Sequence, residues 1–336
     1  MATLHNEYRN KKNGFNFEIK LTDSRKSELN KNKKALRERI RKWFKENKPE
    51  ELQPKFHSQG SIQMGTTINP IPKYLDDKKQ LNYDLDDGVY FIEKDNQDNK
   101  KSIETWHNWV YDAVKDHTGK GAQKKDTCVR VLYEDGHHID LPIYYKKDNK
   151  IEFAHKSKDW LESDPKAFYE WFNNNAAENQ QLRRIVRYLK AWKNFREDKN
   201  SNLKLPSGFA LTILATNNYY ADDNDDKAFR KTVRNIKTKL DNKFECLRPT
   251  TPIGEDIFAG FSQSKKDNFL NALTSLLNDC DRAKDEDNYK KASEYLRNNQ
   301  FGDRFPLGKN ESENSKSNSI NSVLQSSLIK PRPYYG

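Results

Sequence analysis

The chain has 336 residues, of which 34% are hydrophobic and 33% are charged, and this length accommodates one large domain or two smaller ones. The 12% aromatic content excludes wholesale disorder. The 61 Lys and Arg outnumber the 50 Asp and Glu, and the resulting net charge of +11 favours anionic partners such as nucleotides, nucleic acids or anionic surfaces.

Polar residues dominate positions 1–20, which we predict to be a loosely packed lead-in without the apolar core of a secretory signal. No run approaches the roughly 18 apolar residues of a membrane-spanning helix. Cys128, Cys246 and Cys280 are widely separated, so they form neither a zinc-ligand pattern nor a disulfide framework. Reduced thiols of this kind are typical of cytoplasmic proteins, and we expect that location.

Residues 21–158 predict a first lobe in which helices pack on a mixed sheet. Apolar residues at helical spacing from Leu29 to Phe44 indicate a long amphipathic helix, capped by Asp23 or Ser24. Further predicted elements are a strand over 83–91, a helix over 103–114, and strands over 128–133, 139–145 and 150–154.

Helical spacing dominates residues 159–308, which we predict to form a second, mainly helical lobe. The predicted helices cover 164–174, 182–195, 207–219 with Ser207 as N-cap, 229–244, and a stretch from 269 that 295–296 continue. Arg183, Arg187 and Lys190 share one side of the second of these helices at spacings of four and three, and we expect its arginines to be solvated surface charges. Residues 309–336 are rich in Asn, Ser, Lys and Glu over most of their length, which predicts a flexible tail.

The predicted strand over 83–91 carries two acids on one face. In a strand, residues two apart project together, so Asp84 and Asp86 are neighbours while Leu85 faces the other side. Adjacent carboxylates repel each other, and a bound divalent cation removes that conflict. Mg²⁺ prefers carboxylate oxygens together with substrate phosphates. Asp87 points away from the pair, and we predict a turn or surface acid there.

A third acid lies in a predicted hairpin whose turn is Glu134-Asp135-Gly136. Asp140 stands among apolar residues of the second arm, where an unpaired carboxylate is costly. If this arm lies beside the Asp84 strand, the three carboxylates form one cage suited to two-metal phosphoryl transfer. We expect His137 and His138 at the surface, because they follow the turn and this chemistry needs no imidazole.

These motifs resemble the polymerase-beta-like nucleotidyltransferases, in which a Gly-Ser turn, a D-x-D strand and a later Asp follow in this order. The stretches QGSIQMGTT, YDLDDGVYF, VRVLYEDGHHIDLPIYY, RRIVRYLKAWKNF and LPSGFALTILA are similar to the bacterial cGAS/DncV-like nucleotidyltransferases, or CD-NTases, of CBASS anti-phage defence. The resemblance covers residues 34–301. It implies an α+β fold with a polymerase-beta-like core, a helical second lobe and an active site in the cleft between them.

The resemblance also implies residue roles. The catalytic and metal-binding residues would be Asp84, Asp86 and Asp140, holding two Mg²⁺ ions that Mn²⁺ can replace. The nucleotide-binding residues would be Gln59, Gly60, Ser61, Lys190 and Ser207, with Lys193 as the alternative to Lys190. Gly254-Glu255-Asp256 either contacts a nucleotide or caps a helix, and a ubiquitin-transfer-like partner would conjugate the chain through Gly336.

The implied activity is the joining of ribonucleoside triphosphates, ATP and GTP in the best match, into cyclic GMP-AMP with release of pyrophosphate. The product would signal to a downstream effector in anti-phage defence. Three alternatives stay open: a template-independent RNA-tailing nucleotidyltransferase, an inactive nucleotide- or RNA-binding module, and an enzyme that transfers AMP to a drug or protein. The presence of all three acids favours an active enzyme.

Overall fold

The computed structural model describes residues 3–75, 78–94, 99–176 and 180–311. The helices are α1 (His5–Arg9), α2 (Phe15–Ile19), α3 (Asp23–Asn47), α4 (Gly60–Gln63), α5 (Ile103–Val114), α6 (Pro165–Ala176), α7 (Gln180–Lys199), α8 (Gly208–Asn217), α9 (Asp225–Asn242), α10 (Gln263–Asp285) and α11 (Tyr289–Leu296), followed by a π-helical turn (Arg297–Phe301) and a 3-10 turn (Gly302–Arg304). The strands are β1 (Lys55–Gln59), β2 (Lys73–Leu75), β3 (Lys78–Gln80), β4 (Asp84–Ile92), β5 (Ala122–Lys124), β6 (Val129–Leu132), β7 (His138–Leu141), β8 (Ile143–Lys147), β9 (Lys150–His155) and β10 (Asp159–Glu162). Within these ranges, no helix combines the length and apolar character needed to cross a membrane.

Strand β4 is the centre of an eight-stranded mixed sheet. β1 pairs with one edge of β4 in antiparallel orientation, while β7 and β8 pair with the other edge in parallel orientation and one continuous register. Leu85, Val89 and Phe91 are buried, as expected for the central strand of a covered sheet. The strand predicted over 139–145 is divided at Pro142, which has no N–H and whose carbonyl accepts a hydrogen bond from Val89 N at 2.8 Å.

Two separate hydrophobic cores define two lobes, one between the sheet and helices α3 and α5, the other among α6–α11. The N-terminal residues join the second core, so the prediction of a loosely packed lead-in is wrong. Leu4, Tyr8, Phe15 and Ile19 are at most 2% exposed, and the Tyr8 and Phe15 rings contact Tyr188 of α7. Five-residue helices carry too few apolar positions to show a helical period, which explains the error.

The predicted helices of the second lobe are confirmed, with shifted ends. Ser207 caps α8 by accepting a hydrogen bond from Ala210 N at 3.2 Å. The predicted continuation of α10 into 295–296 is wrong, because α10 ends at Asp285 and Asn288 caps a separate helix.

The first lobe also differs from prediction at its two ends. Helix α3 is present, but its N-cap is Thr22 instead of Asp23 or Ser24, and the Thr22 hydroxyl accepts a hydrogen bond from Arg25 N at 3.4 Å. At the other end, β10 extends the sheet to Glu162, a few residues past the predicted boundary between the lobes.

Candidate active site

The register of β4 and β7 brings the predicted acids together. In this parallel pair, Asp84 lies opposite His138 and Asp86 lies opposite Asp140. All four side chains project from one face, because they occupy alternate positions on adjacent strands. Oxygens of Asp84 and Asp140 and a ring nitrogen of His138 lie within 4.8 Å of one another. The expectation that the Asp140 strand lies beside the Asp84 strand is confirmed.

Charges of opposite sign meet at this cluster. Burial, together with the charges of Asp84 and Asp140, raises the pKa of Asp86 well above its ordinary value. Arg130 lies opposite Asp140 in the β6–β7 hairpin and donates two hydrogen bonds of 2.8 Å to its carboxylate. Arg130 was not predicted from the sequence, although the hairpin register was the signal that could have identified it.

The Gly60-Ser61 turn, which opens the short helix α4, follows β1 directly and faces the acids. Gly60 has a φ of +72°, and a Cβ at this position would collide with the Asp86 carboxylate, so only glycine permits this approach. The Ser61 hydroxyl lies 2.7 Å from that of Thr67, and both residues line the cleft. The turn therefore brings the backbone and a hydroxyl group next to the acidic cluster.

The side-chain amide of Gln59 is engaged by two tyrosines. Its Nε2 donates to Tyr144 Oη at 2.8 Å, and its Oε1 accepts from Tyr90 Oη at 3.4 Å. The two rings stack with centroids 4.6 Å apart. Gln59 thus fixes the end of β1 immediately before the Gly-Ser turn, and its contact with a nucleotide stays a prediction.

The basic face of α7 holds the loop that follows the turn. Three successive loop carbonyls each accept a hydrogen bond from one base of α7: Met64 from Arg183 at 2.9 Å, Gly65 from Arg187 at 2.5 Å and Thr66 from Lys190 at 3.3 Å. The helical spacing of four and three places these bases on one side, as predicted. The expectation that the arginines are solvated is wrong for Arg187 and Arg184, which are 6% and 9% exposed.

Lys190 and Lys193 both line the cleft, but they have different partners. Burial lowers the pKa of Lys190 to about 8, and the charges of Asp84 and Asp86 oppose that shift. Lys193 forms an ion pair with Glu197 on the next turn of α7. Of the two lysines, Lys190 is the one whose charge acts at the acids.

A cleft of about 550 Å³ separates the two lobes at this point. The turn, Asp84 and Asp86 line it on the sheet side, while Lys190, Phe209, Arg248 and Thr250 line the helical-lobe side. The Arg248 guanidinium lies 5.2 Å from the centre of the Phe209 ring, and this flat cationic surface suits a planar aromatic ligand. Arg248 and Thr250 were missed because they stand in a loop without a motif.

Ser207 is exposed at the start of α8, and its hydroxyl is occupied by the helix cap. Among the described residues, those that line the cleft include Gly208 but not Ser207. A Cβ on Gly208 would lie 3.1 Å from Cε of Lys190, so this end of α8 borders the lysine side chain. A role for Ser207 in nucleotide binding stays a prediction.

His137 and His138 are buried, contrary to the expectation of surface positions. His137 is 1% exposed, bonds to Asp135 and stacks on the Tyr133 ring with centroids 4.2 Å apart. His138 is the first residue of β7, so its side chain points to the acidic face, where its Nε2 lies 4.0 Å from Asp140 Oδ2. Burial lowers the pKa of His138, which favours the neutral imidazole that can ligate a metal.

Asp87 is also buried, and its prediction as a turn or surface acid is wrong. The side chain is 1% exposed and accepts two hydrogen bonds from Arg37 of α3, one of them at 2.7 Å, and a third from Ser58 at 3.0 Å. It points to the face opposite Asp86, as expected from strand geometry. Asp87 therefore ties α3 to the sheet behind the acidic cluster.

Two further predictions concern the second lobe and the C-terminus. Glu255 pairs with Arg248 at 2.7 Å, while Asp256 accepts hydrogen bonds from the backbone of Cys246 and Phe258, so Asp256 does not cap a helix. Arg248, the partner of Glu255, lines the cleft, and a nucleotide contact by Gly254-Glu255-Asp256 stays a prediction. Gly336 and most of the predicted tail lie outside the described residues.

Comparison with known proteins places these features in context. Residues 54–144 match the family model of the DncV-like cyclic GMP-AMP synthase nucleotidyltransferase domain. A cyclic GMP-AMP synthase of Escherichia albertii is 30% identical over 203 residues, which are 58% of this chain and 44% of that protein. A c-di-GMP synthase of Roseivirga ehrenbergii is 26% identical over 248 residues, or 64% and 61% of the two chains. The chain thus spans about half the length of these relatives.

The similarity of fold is more extensive. The crystal structure of Vibrio cholerae DncV in its 3'-deoxy ATP bound form matches with a TM-score of 0.76 at 20% identity, covering 90% of this chain and 96% of that one. Escherichia coli DncV in its 3'-deoxy GTP bound form also has a TM-score of 0.76, at 18% identity, with 90% and 97% covered. The predicted α+β fold with a helical second lobe is confirmed.

Proposed function

We propose that this chain, which belongs to the cGAS/DncV-like nucleotidyltransferases, joins two ribonucleoside triphosphates into a cyclic dinucleotide and releases pyrophosphate. The observation that carries the proposal is the cluster of Asp84, Asp86 and Asp140 in one strand register, with Lys190 close enough to influence it. Phosphoryl transfer needs this combination: oxygen ligands for divalent cations and a positive group for the departing phosphates.

The acidic cluster fits divalent cations. Hard carboxylate oxygens suit Mg²⁺, and burial together with the charges of Asp84 and Asp140 raises the pKa of Asp86, a conflict that a bound cation would relieve. We assign two Mg²⁺ ions, replaceable by Mn²⁺, to Asp84, Asp86 and Asp140. Bound ions would supply positive charge to the transferring phosphate.

The remaining roles belong to the chain itself. Ser61 and the backbone at Gly60 hold triphosphate oxygens, because the turn lies against the Asp86 carboxylate. Lys190 neutralises the β- and γ-phosphates. Asp140, which Arg130 holds in place, orients the attacking ribose hydroxyl and helps to activate it. In the same scheme, Gln59 and Ser207 complete the nucleotide-binding set.

His138 adds a nitrogen donor to this set. Its ring nitrogen shares the space within 4.8 Å of the Asp84 and Asp140 oxygens. An imidazole ligand favours a transition metal such as Mn²⁺ over Mg²⁺, because Mg²⁺ prefers oxygen and ideal octahedral geometry. His138 would therefore join Asp84 and Asp140 in holding a metal ion.

The relatives guide the choice of substrates. One relative is named a cyclic GMP-AMP synthase and the other a c-di-GMP synthase, so GMP is common to both products. We therefore assign GTP as one substrate, and the cyclic GMP-AMP synthase supports ATP as the other and cyclic GMP-AMP as the product. A cytoplasmic location, signalling to an effector in anti-phage defence and conjugation through Gly336 follow from the resemblance and belong to this proposal.

The test is to incubate the purified chain with all four ribonucleoside triphosphates and Mg²⁺ or Mn²⁺, followed by phosphatase and mass spectrometry. A phosphatase-resistant cyclic dinucleotide is expected. The Asp84→Asn, Asp86→Asn double variant should make none while remaining folded. Linear oligomers would indicate an RNA-tailing enzyme instead, and nucleotides that bind but stay unchanged with both metals would indicate a binding module.

A further inference from the structure

A second cavity, of about 630 Å³, lies in the helical lobe. It is of similar size to the catalytic cleft, and the two share no lining residue. Residues from α7, the loop after it, α10 and the π-helical turn line it, among them Arg196, Lys199, Ser275, Asn278, Asp279 and Arg282. Most of these side chains are polar or charged, so the cavity is suited to a polar ligand.

Arg196 brings to this cavity a positive charge that the nearby Asp279 offsets only in part. Its guanidinium is half-buried and makes long hydrogen bonds, to Gln300 Oε1 at 3.2 Å and to Ser275 Oγ at 3.4 Å. Within the described part of the chain, no carboxylate lies at ion-pair distance from it. Asp279 lines the same cavity but accepts hydrogen bonds from Gln300 Nε2 at 2.6 Å and from Asn299 Nδ2 at 3.2 Å. The Asp279 carboxylate is therefore hydrogen-bonded to neutral amides of the π-helical turn, and it does not form a direct ion pair with Arg196.

Two more cations border the cavity. Lys199 is exposed, lies 5.7 Å from the Phe195 ring centre and has no ion-pair partner among the residues that the structure describes. Arg282 is 60% exposed and forms an ion pair with Asp279 at 3.5 Å. Three cations therefore face one acid, and the excess charge attracts an anion.

The π-helical turn contributes the amides of Asn298 and Asn299. Such turns are rare and occur often at functional sites, because they turn side chains out of the regular helical positions. This turn is fixed to α7 by a hydrogen bond from Trp192 Nε1 to Gln300 Oε1 at 3.1 Å. The cavity wall is therefore held in place at its base.

We propose that this cavity is a second binding site, separate from the catalytic cleft, for a phosphate-bearing small molecule of mononucleotide size. The planar fork of Arg196 matches the oxygens of a phosphate group. Lys199 and Arg282 add charge at the rim, and the amides of Asn278 and Asn299 bond to the polar remainder of the molecule.

Calorimetry with guanosine 5'-monophosphate in EDTA tests the proposal, because it requires neither metal nor catalysis. Arg196→Gln keeps a hydrogen-bonding group next to Ser275 and Gln300 but removes the charge, and affinity should fall about tenfold or more, since charge-assisted hydrogen bonds are lost. Lys199→Gln, at the exposed rim, should weaken binding about twofold to fivefold. Lys239→Gln on α9 removes the same charge outside the cavity and should leave the affinity unchanged.

Hydrogen exchange locates the bound molecule. Protection is expected over 275–282 and 297–301, whereas protection confined to 59–67 and 84–87 would overturn the proposal by placing the molecule in the catalytic cleft. Failure of guanosine 5'-monophosphate to bind, or equal affinity for wild type and Arg196→Gln, would overturn it as well. If Arg196→Gln does not fold, an unchanged affinity of Lys199→Gln decides against the site. None of these results depends on synthase activity.

Discussion

Replacing Asp86 by Asn should stabilise the protein when metal is removed and leave it less stable than wild type when Mg²⁺ is present. Asp86 lies between two other acids, with Asp84 two residues before it on β4 and Asp140 opposite it on β7. Asparagine has nearly the same shape as aspartate but no charge. The change in free energy of unfolding therefore reports the repulsion within the cluster.

The expected size follows from strand geometry. Two residues along a strand span about 6.6 Å, and neighbouring strands lie about 4.8 Å apart. At an effective dielectric constant of about 20, unit charges at these distances repel by about 2.5 and about 3.5 kcal/mol. Arg130 and Lys190 offset part of this repulsion. We expect Asp86→Asn to raise the free energy of unfolding in EDTA by about 1–3 kcal/mol.

In the presence of Mg²⁺, wild type should be more stable than Asp86→Asn, the reverse of the order in EDTA. Metal binding stabilises the native state by about 2.7 kcal/mol when the free ion is at about 100 times its Kd, and the variant loses most of this gain. Urea unfolding followed by tryptophan fluorescence, in EDTA and in Mg²⁺, measures both effects. Low ionic strength is needed, because salt screens the repulsion.

Asp87→Asn is the matched control, since it removes the same charge from the next residue on the opposite face. Asp87 is paired with Arg37, so its loss should destabilise the protein by about 3 kcal/mol in both buffers. The reasoning is refuted if Asp86→Asn destabilises the protein in EDTA, or if Mg²⁺ stabilises the variant as much as wild type.

The pH dependence provides an independent check. Because the pKa of Asp86 is raised on folding, the native state binds more protons than the unfolded state between the unfolded pKa and the raised native one. Wild type should therefore lose stability in EDTA as pH rises through that window. Asp86→Asn should remove this part of the slope.

Three further predictions concern other groups. Lys190→Met should lower kcat/KM about 100-fold or more in steady-state assays, whereas Lys193→Met should change it less than about tenfold, because Asp84 and Asp86 act on the charge of Lys190 while Lys193 pairs with Glu197; equal losses would contradict this assignment. Burial alone would raise the pKa of Asp225, but hydrogen bonds from Arg184 and neighbouring groups lower it overall. The ionised Asp225 therefore stabilises the folded protein above the unfolded pKa, and this stabilisation is lost as pH falls through the native pKa. Asp225→Asn should cost about 3 kcal/mol at pH 7 and flatten this acid dependence in urea titrations, and an unchanged slope would refute the role. His138→Gln should abolish the ¹⁴N coupling in pulsed EPR of the Mn²⁺-loaded protein and weaken Mn²⁺ binding about tenfold, and a coupling that persists would exclude His138 as a ligand.

The basic stretch of α7 illustrates how far a sequence pattern extends. Helical spacing correctly placed Arg183, Arg187 and Lys190 on one side. It could not show that this side bonds to three successive carbonyls of the loop after the Gly-Ser turn, which lies about 120 residues earlier in the chain. For that reason the arginines were expected in solvent and are instead in a contact between the lobes.

By itself, the sequence determined the features that depend on neighbours in the chain. The two-residue alternation of a strand put Asp84 and Asp86 on one face, and the spacing of apolar residues by three or four predicted α3 and the helices of the second lobe. Tertiary structure alone decided that β7 lies beside β4, that Arg130 holds Asp140 and that His138 enters the cluster. The physical reason is that burial and ion pairing depend on segments that the packing of the whole core brings together. Local spacing in the sequence does not determine which distant segments become neighbours.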